Sequence, residues 1–232
     1  MVFGGLQKSS LIDFPGRLSC VIFLSGCNFD CPYCHNPSLA AGKAGSGDLI
    51  TQENIYDFLD MRRDFLDGVV ISGGEPTIQK NLFKLCEGIK QRGYSIKLDT
   101  NGSRPGELKR LITNGLVDYI AMDLKTDPQN YKGLICGNFN PDDLLSSIVT
   151  IMQTASDYEF RTTCVKGFVD ERIIENIARL IKGANLYALQ TFNHVEVLHP
   201  EFFRDREKGL EPYEIDRLKS IAEPWVKECV VR

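Results

Sequence analysis

A chain of 232 residues, 43% of them hydrophobic, can bury a large core without a metal or a disulfide framework to hold it together. A net charge of −4 with no basic run argues against a nucleic-acid groove, and no apolar run reaches the roughly 18 residues needed to cross a bilayer. The start, MVFGGLQKSSLIDFPGR, lacks the charged and apolar stretches of a signal peptide, so the expectation is one domain over residues 1–232, in the cytoplasm, with neither nucleic acid nor membrane as a partner.

The first β-branched run, LSCVIFL (18–24), predicts a strand that ends in SGC and opens a cysteine-rich loop, GCNFDCPYCHNP (26–37). The segment 51–66 has helical spacing, with Ile55, Phe58, Leu59 and Phe65 on one face and a capping pair in Thr51 and Asn54. Further strands are predicted at 68–72, 94–99, 118–123, 158–165 and 185–190. Helical patterns lie between them at 81–93, 105–115, 141–153 and 171–183, with Pro105 and Pro141 suited to first turns. About six strand–helix units mean an α/β fold with a parallel sheet, either doubly wound or a barrel of βα units. The tail beyond 195 is the least patterned part.

Of eight cysteines, Cys27, Cys31 and Cys34 are clustered and the rest are scattered. Without an export signal, that distribution suits a metal site in a reducing compartment. By spacing alone the trio fits a zinc knot completed by His35, or an iron–sulfur cluster.

The strand ends carry the rest of the pattern. After SGC come SGGEP (72–76), DTNG (99–102), MDLK (122–125) and QTFNH (190–194). In parallel βα folds these ends share one face, and that face binds ligands. Gly73, Gly74, Glu75, Asp99, Thr100, Asn101, Asp123, Lys125 and His194 should therefore converge on the cysteines. Three cysteines can ligate three irons of a cubane and leave the fourth open. Paired glycines expose backbone to a ligand, acids suit an ammonium, a lysine suits a carboxylate, and Tyr33 offers a ring. An amino-acid head joined to a nucleoside fits that set.

Taken together, SLIDFPGRLSCVIFLSGCNFDCPYCHNP, VVISGGEPT, KLDTNG and VDYIAMDLK resemble the radical S-adenosylmethionine superfamily. Within it they resemble the activating enzymes of glycyl-radical enzymes, nearest to the anaerobic ribonucleoside-triphosphate reductase activating proteins. The likeness covers about residues 3 to 135. It implies a partial (β/α)6 barrel, an incomplete TIM-like barrel, and one [4Fe–4S] cluster held by Cys27, Cys31 and Cys34. It also implies S-adenosylmethionine contacted by Tyr33, Gly73, Gly74, Glu75, Asp99, Thr100 and Lys125, with His194 near a ribose-contacting histidine. A monovalent cation beside Asp99, Thr100 and Asp123 is a further implication. The activity implied is reductive cleavage of S-adenosylmethionine to place a glycyl radical on a partner, with a flavodoxin- or ferredoxin-type electron donor. The alternatives are a pyruvate formate-lyase-type activase or a small-molecule enzyme such as 7-carboxy-7-deazaguanine synthase. One departure is DFPGR, where Phe14 replaces a glycine usual in the activases.

Overall fold

The computed structural model describes residues 1–43, 50–132, 135, 140–192, 196–203 and 209–232. One eight-stranded sheet runs β1 (Phe3–Ser10), β2 (Ser19–Leu24), β3 (Gly68–Gly73), β4 (Ser95–Thr100), β5 (Tyr119–Asp123), β6 (Tyr158–Cys164), β7 (Tyr187–Thr191), β8 (Cys229–Val231). Only β1 is antiparallel to its neighbour. Spatial order follows chain order throughout. A doubly wound sheet must reverse its order at a switch point, so this sheet is the barrel type, left open between β1 and β8.

The helices are α1 (Pro37–Ala40), α2 (Gln52–Met61), α3 (Leu82–Gln91), α4 (Pro105–Thr113), α5 (Pro141–Thr154), α6 (Glu171–Leu180) and α7 (Pro212–Ala222). Local chemistry sets their starts. Thr51 Oγ1 accepts the Asn54 N–H at 3.2 Å while Asn54 Oδ1 accepts the Thr51 N–H at 3.0 Å, a reciprocal cap. Pro105 and Pro141 occupy first turns. Phe65 corrects the expected helix over 51–66: α2 stops at Met61, and Phe65 lies beyond it, exposed.

Strand periodicity divides the interior in two. Cys20, Ile22, Ile71, Ile96, Leu98 and Met122 face the helices and join the main core with Ile55, Leu85 and Leu111. The alternate residues face the barrel axis, where Val21, Val70, Tyr119 and Ala121 form a second, smaller cluster. Phe14 completes that cluster from the β1–β2 turn. It is buried, its ring 6.0 Å from that of Tyr119, and a β-carbon on Gly68 would meet its ring carbons at 2.8 and 2.9 Å. Gly68 and Tyr119 begin their strands, so Phe14 plugs the end of the barrel opposite the strand carboxyl ends. No helix among the described residues is long and apolar enough to cross a membrane.

Candidate cofactor site at the strand ends

The loop after β2 is pinned along its length. Gly26 N–H donates to Leu39 O at 2.7 Å, Cys27 N–H to Ala40 O at 3.2 Å, and Asp30 N–H to Ile135 O at 2.7 Å. On its outer side, His199 N–H donates to Pro32 O at 3.1 Å and His199 Nε2 lies 2.9 Å from Asp30 Oδ1. The Phe29 N–H points at Cys27 Sγ, 3.4 Å away, and amide–sulfur bonds of this kind orient and tune metal-bound thiolates. Burial pushes the Cys27 thiol up to about 11 and the Cys31 thiol up to about 12, so metal binding would displace their protons.

A cavity of about 220 Å³ opens beside the loop, lined by Cys27, Cys31, Tyr33, Cys34 and His35. Its far wall is Gly73, Gly74, Glu75, Asp99, Thr100, Asn101, Asp123 and Lys125, together with Arg161. This space far exceeds the roughly 30 Å³ share of one water, so it suits a multi-atom ligand and not a lone ion. The structure brings all these sequence-predicted residues together; His194 falls outside the described residues. Among those described, no three His, Cys, Asp or Glu side chains are grouped so that one ion could be held by all of them. His35 packs against Phe192, ring centroids 5.0 Å apart. Tyr33 is buried, its hydroxyl without a partner among the described residues and its ring edge-on to Phe168 at 4.8 Å.

The glycine pair serves a close approach. Gly73 has φ +122°, and a β-carbon there would overlap the Leu24 backbone. On Gly74 it would overlap the Gly26 carbonyl. The end of β3 is thereby pressed on the cysteine loop, with Gly74 N–H donating to Leu24 O and Glu75 N–H to Gly26 O, both at 2.8 Å. Glu75 itself is turned inward. Its Oε1 accepts the Thr77 N–H at 3.0 Å and hydroxyls from Thr77 and Thr100, and its Oε2 accepts the Asn101 N–H at 2.7 Å. Burial raises its carboxyl above the usual range, and these four donors work against that rise.

A chain of alternating charges crosses the next three strand ends. Lys97 Nζ lies 2.6 Å from Asp99 Oδ1, and Arg161 Nη1 is 3.3 Å from the same oxygen. Arg161 Nε is 2.7 Å from Asp123 Oδ1, and Lys125 Nζ is 2.8 Å from Asp123 Oδ2. Burial alone would raise both carboxyls; Arg161 with Lys97 at Asp99, and Arg161 with Lys125 at Asp123, outweigh it and hold both below the usual range. Asp123 conversely holds Lys125 above its ordinary value against the effect of burial. Lys97 and Arg161 are the functional candidates that reading strand ends misses. Their signal is a charge inside an apolar strand, in period-2 register with Asp99 and paired across from Asp123.

Three thiols around a multi-atom cavity with charged strand ends fit a three-cysteine cluster and a zwitterionic ligand. Both Asp99 and Asp123 already carry cationic side chains, and the Thr100 hydroxyl is bonded to Glu75 and to the Gly102 N–H.

Comparison with known proteins shows the family. The model of the radical SAM superfamily matches residues 21–180. A Methanocaldococcus jannaschii protein named as a glycyl-radical enzyme activating enzyme is 36% identical, over 98% of this chain and 94% of that relative. The pyruvate formate-lyase-activating enzyme of Clostridium pasteurianum is 30% identical, over 65% of this chain and 66% of that protein. Among solved structures, Streptococcus suis SuiB bound to S-adenosylmethionine shares the fold with a TM-score of 0.66 at 12% identity, over 91% of this chain and 51% of SuiB. The superfamily implies a [4Fe–4S] cluster and S-adenosylmethionine, which the donor set accommodates. The chain belongs to the radical SAM superfamily and is an enzyme of the glycyl-radical activase kind.

Proposed function

We propose that this protein cleaves S-adenosylmethionine reductively and places a glycyl radical on a partner enzyme, the anaerobic ribonucleoside-triphosphate reductase. The observation that carries the reading is one cavity that gathers the three loop cysteines with four other strand ends. The resemblance of SLIDFPGRLSCVIFLSGCNFDCPYCHNP, VVISGGEPT, KLDTNG and VDYIAMDLK to the glycyl-radical activating enzymes, nearest to those of the reductase, supports this choice of partner.

When bound and reduced, the cluster and its ligand supply one-electron cleavage of a sulfonium and hydrogen-atom abstraction from glycine. The chain does the rest. Cys27, Cys31 and Cys34 would hold the cluster through their three thiolates. Backbone carbonyls at Gly73 and Gly74 take the amino group, while Glu75 holds the turn that presents them. Lys125 and Arg161 take the carboxylate, Asp99 and Asp123 keep those cations in place, and Tyr33 walls the nucleoside side. The whole chain acts as one domain in the cytoplasm, supplied with electrons by a flavodoxin- or ferredoxin-type protein.

The test is anaerobic. Protein reconstituted with iron and sulfide, then reduced with dithionite, should release 5′-deoxyadenosine, and Cys31→Ala should release none. Mixed with the reductase, the wild type should produce a glycyl-radical signal in electron paramagnetic resonance. Equal product from wild type and Cys31→Ala defeats the cofactor reading; product without a signal in the reductase defeats the choice of partner.

A further inference from the structure

We propose that the buried ammonium of Lys97 is this protein's built-in cation at the carboxylate end of the cavity, so that ligand binding here is indifferent to sodium and potassium. The inference rests on the cofactor reading above and concerns only how the site balances its charge.

Three observations carry it. The Lys97 side chain is 3% exposed, and its Nζ lies 2.6 Å from Asp99 Oδ1, a close charge-assisted contact. It cannot swing away to water, since it emerges in mid-strand with Val70 opposite on β3 and Tyr119 opposite on β5, both buried. The count of charges then decides. Lys97, Arg161 and Lys125 stand against Asp99 and Asp123 in one continuous chain, which leaves a single positive charge. One incoming α-carboxylate neutralises it. An added metal cation would leave an excess charge in a buried place, where an uncompensated ion is expensive. Removal of the Lys97 ammonium leaves four charges that cancel, and the incoming carboxylate then needs a replacement cation beside Asp99.

The test compares salts at constant ionic strength: sodium, potassium and tetramethylammonium chloride, the last too large to enter. The reconstituted holoenzyme is titrated with S-adenosylmethionine by equilibrium dialysis, and thermal midpoints are recorded in the same buffers without it. For the wild type, Kd should agree within about twofold across the three salts. Lys97→Met, close in length and free of charge, should bind about tenfold more weakly in tetramethylammonium and recover in sodium or potassium. A wild-type Kd that tightens about tenfold on adding sodium or potassium overturns the proposal, and so does a Lys97→Met protein indifferent to the salt. Should Lys97→Met fail to fold, the wild-type comparison alone decides. If the wild type binds no S-adenosylmethionine in any salt, the cofactor reading falls. The proposal, which concerns ligand binding, then falls with it; where S-adenosylmethionine does bind, a selective rise of the thermal midpoint in sodium or potassium also overturns the proposal.

Discussion

The Glu75 carboxylate accepts the Asn101 N–H at 2.7 Å, which bolts the end of β3 to the end of β4 directly beneath the cavity. With Thr77 and Thr100 on its other oxygen, this side chain is a clamp between two ligand-bearing turns before any ligand arrives. Glu75→Gln keeps the shape but turns one acceptor into a donor that faces donors. The expected loss is about 1–3 kcal/mol in the apo protein, the cost of a buried polar group left unsatisfied. Urea denaturation checks it, as a lower midpoint at unchanged slope. An unchanged apo midpoint would leave Glu75 with a ligand role alone.

Two glycine substitutions should act in opposite directions. In Gly74→Ala the new methyl meets the Gly26 carbonyl, which is backbone and cannot step aside. We expect a loss of about 1–3 kcal/mol and reduced iron incorporation, because the displaced neighbour leads into Cys27. Gly106→Ala, in the first turn of α4 with nothing within 4 Å, should gain about 0.5–1 kcal/mol and leave iron content unchanged. Paired thermal melts and iron assays separate the two. Equal effects would mean that contact with the loop is irrelevant.

These contacts mark the limit of what the sequence shows. Strands β2 to β7 announce themselves through largely apolar runs, and the ends of those runs point to the cavity, because strand direction alone places Cys27, Glu75, Asp99 and Lys125 on one face. β1 carries no such run: FGGLQKSS has two glycines and no β-branched residue, and pairing with β2 makes it a strand. β8 is three residues long, and α7 lies in the unpatterned tail. Phe65 misleads because hydrophobic spacing continues past the point where the chain turns away. That Glu75 faces the Thr77, Thr100 and Asn101 donors is a matter of tertiary packing, which residue types at strand ends do not reveal.

Acid should unfasten the charge chain. Asp99 and Asp123 both titrate below the ordinary aspartate value of 3.8 in the folded protein, so between that value and their folded values the unfolded chain binds protons that the folded chain does not. Their stabilisation is therefore fully present above about pH 4–5 and drains away as pH falls further. Arg161→Met strips the shared cation from both carboxylates. It should cost about 3–5 kcal/mol at pH 7, the penalty for breaking a buried pair, and less at pH 3, where the aspartates accept protons. Urea midpoints of both proteins from pH 7 to pH 3 give the answer: converging curves are expected, and parallel curves would detach Arg161 from the two aspartates.

Phe14 gives the sharpest separation of stability from chemistry. It stands where the activases usually have a glycine, and here it fills the barrel end against Tyr119 while the cysteines sit at the other end. A buried phenylalanine cut to alanine leaves a cavity as well as lost burial, so Phe14→Ala should cost about 3–5 kcal/mol. The small residues around it are committed to its ring, since Gly68 has no side chain to fill the space and Ala121 little. Collapse can therefore recover little of the loss. Below its lowered melting temperature the variant should still take up iron and bind S-adenosylmethionine as the wild type does, because none of the cavity-lining residues touches the plug through a charge or a hydrogen bond. Chemical denaturation and iron analysis on the same preparation test both halves. A stable variant would mean that the barrel end closes without Phe14, and a stable variant that cannot load iron would tie the plug to the site after all.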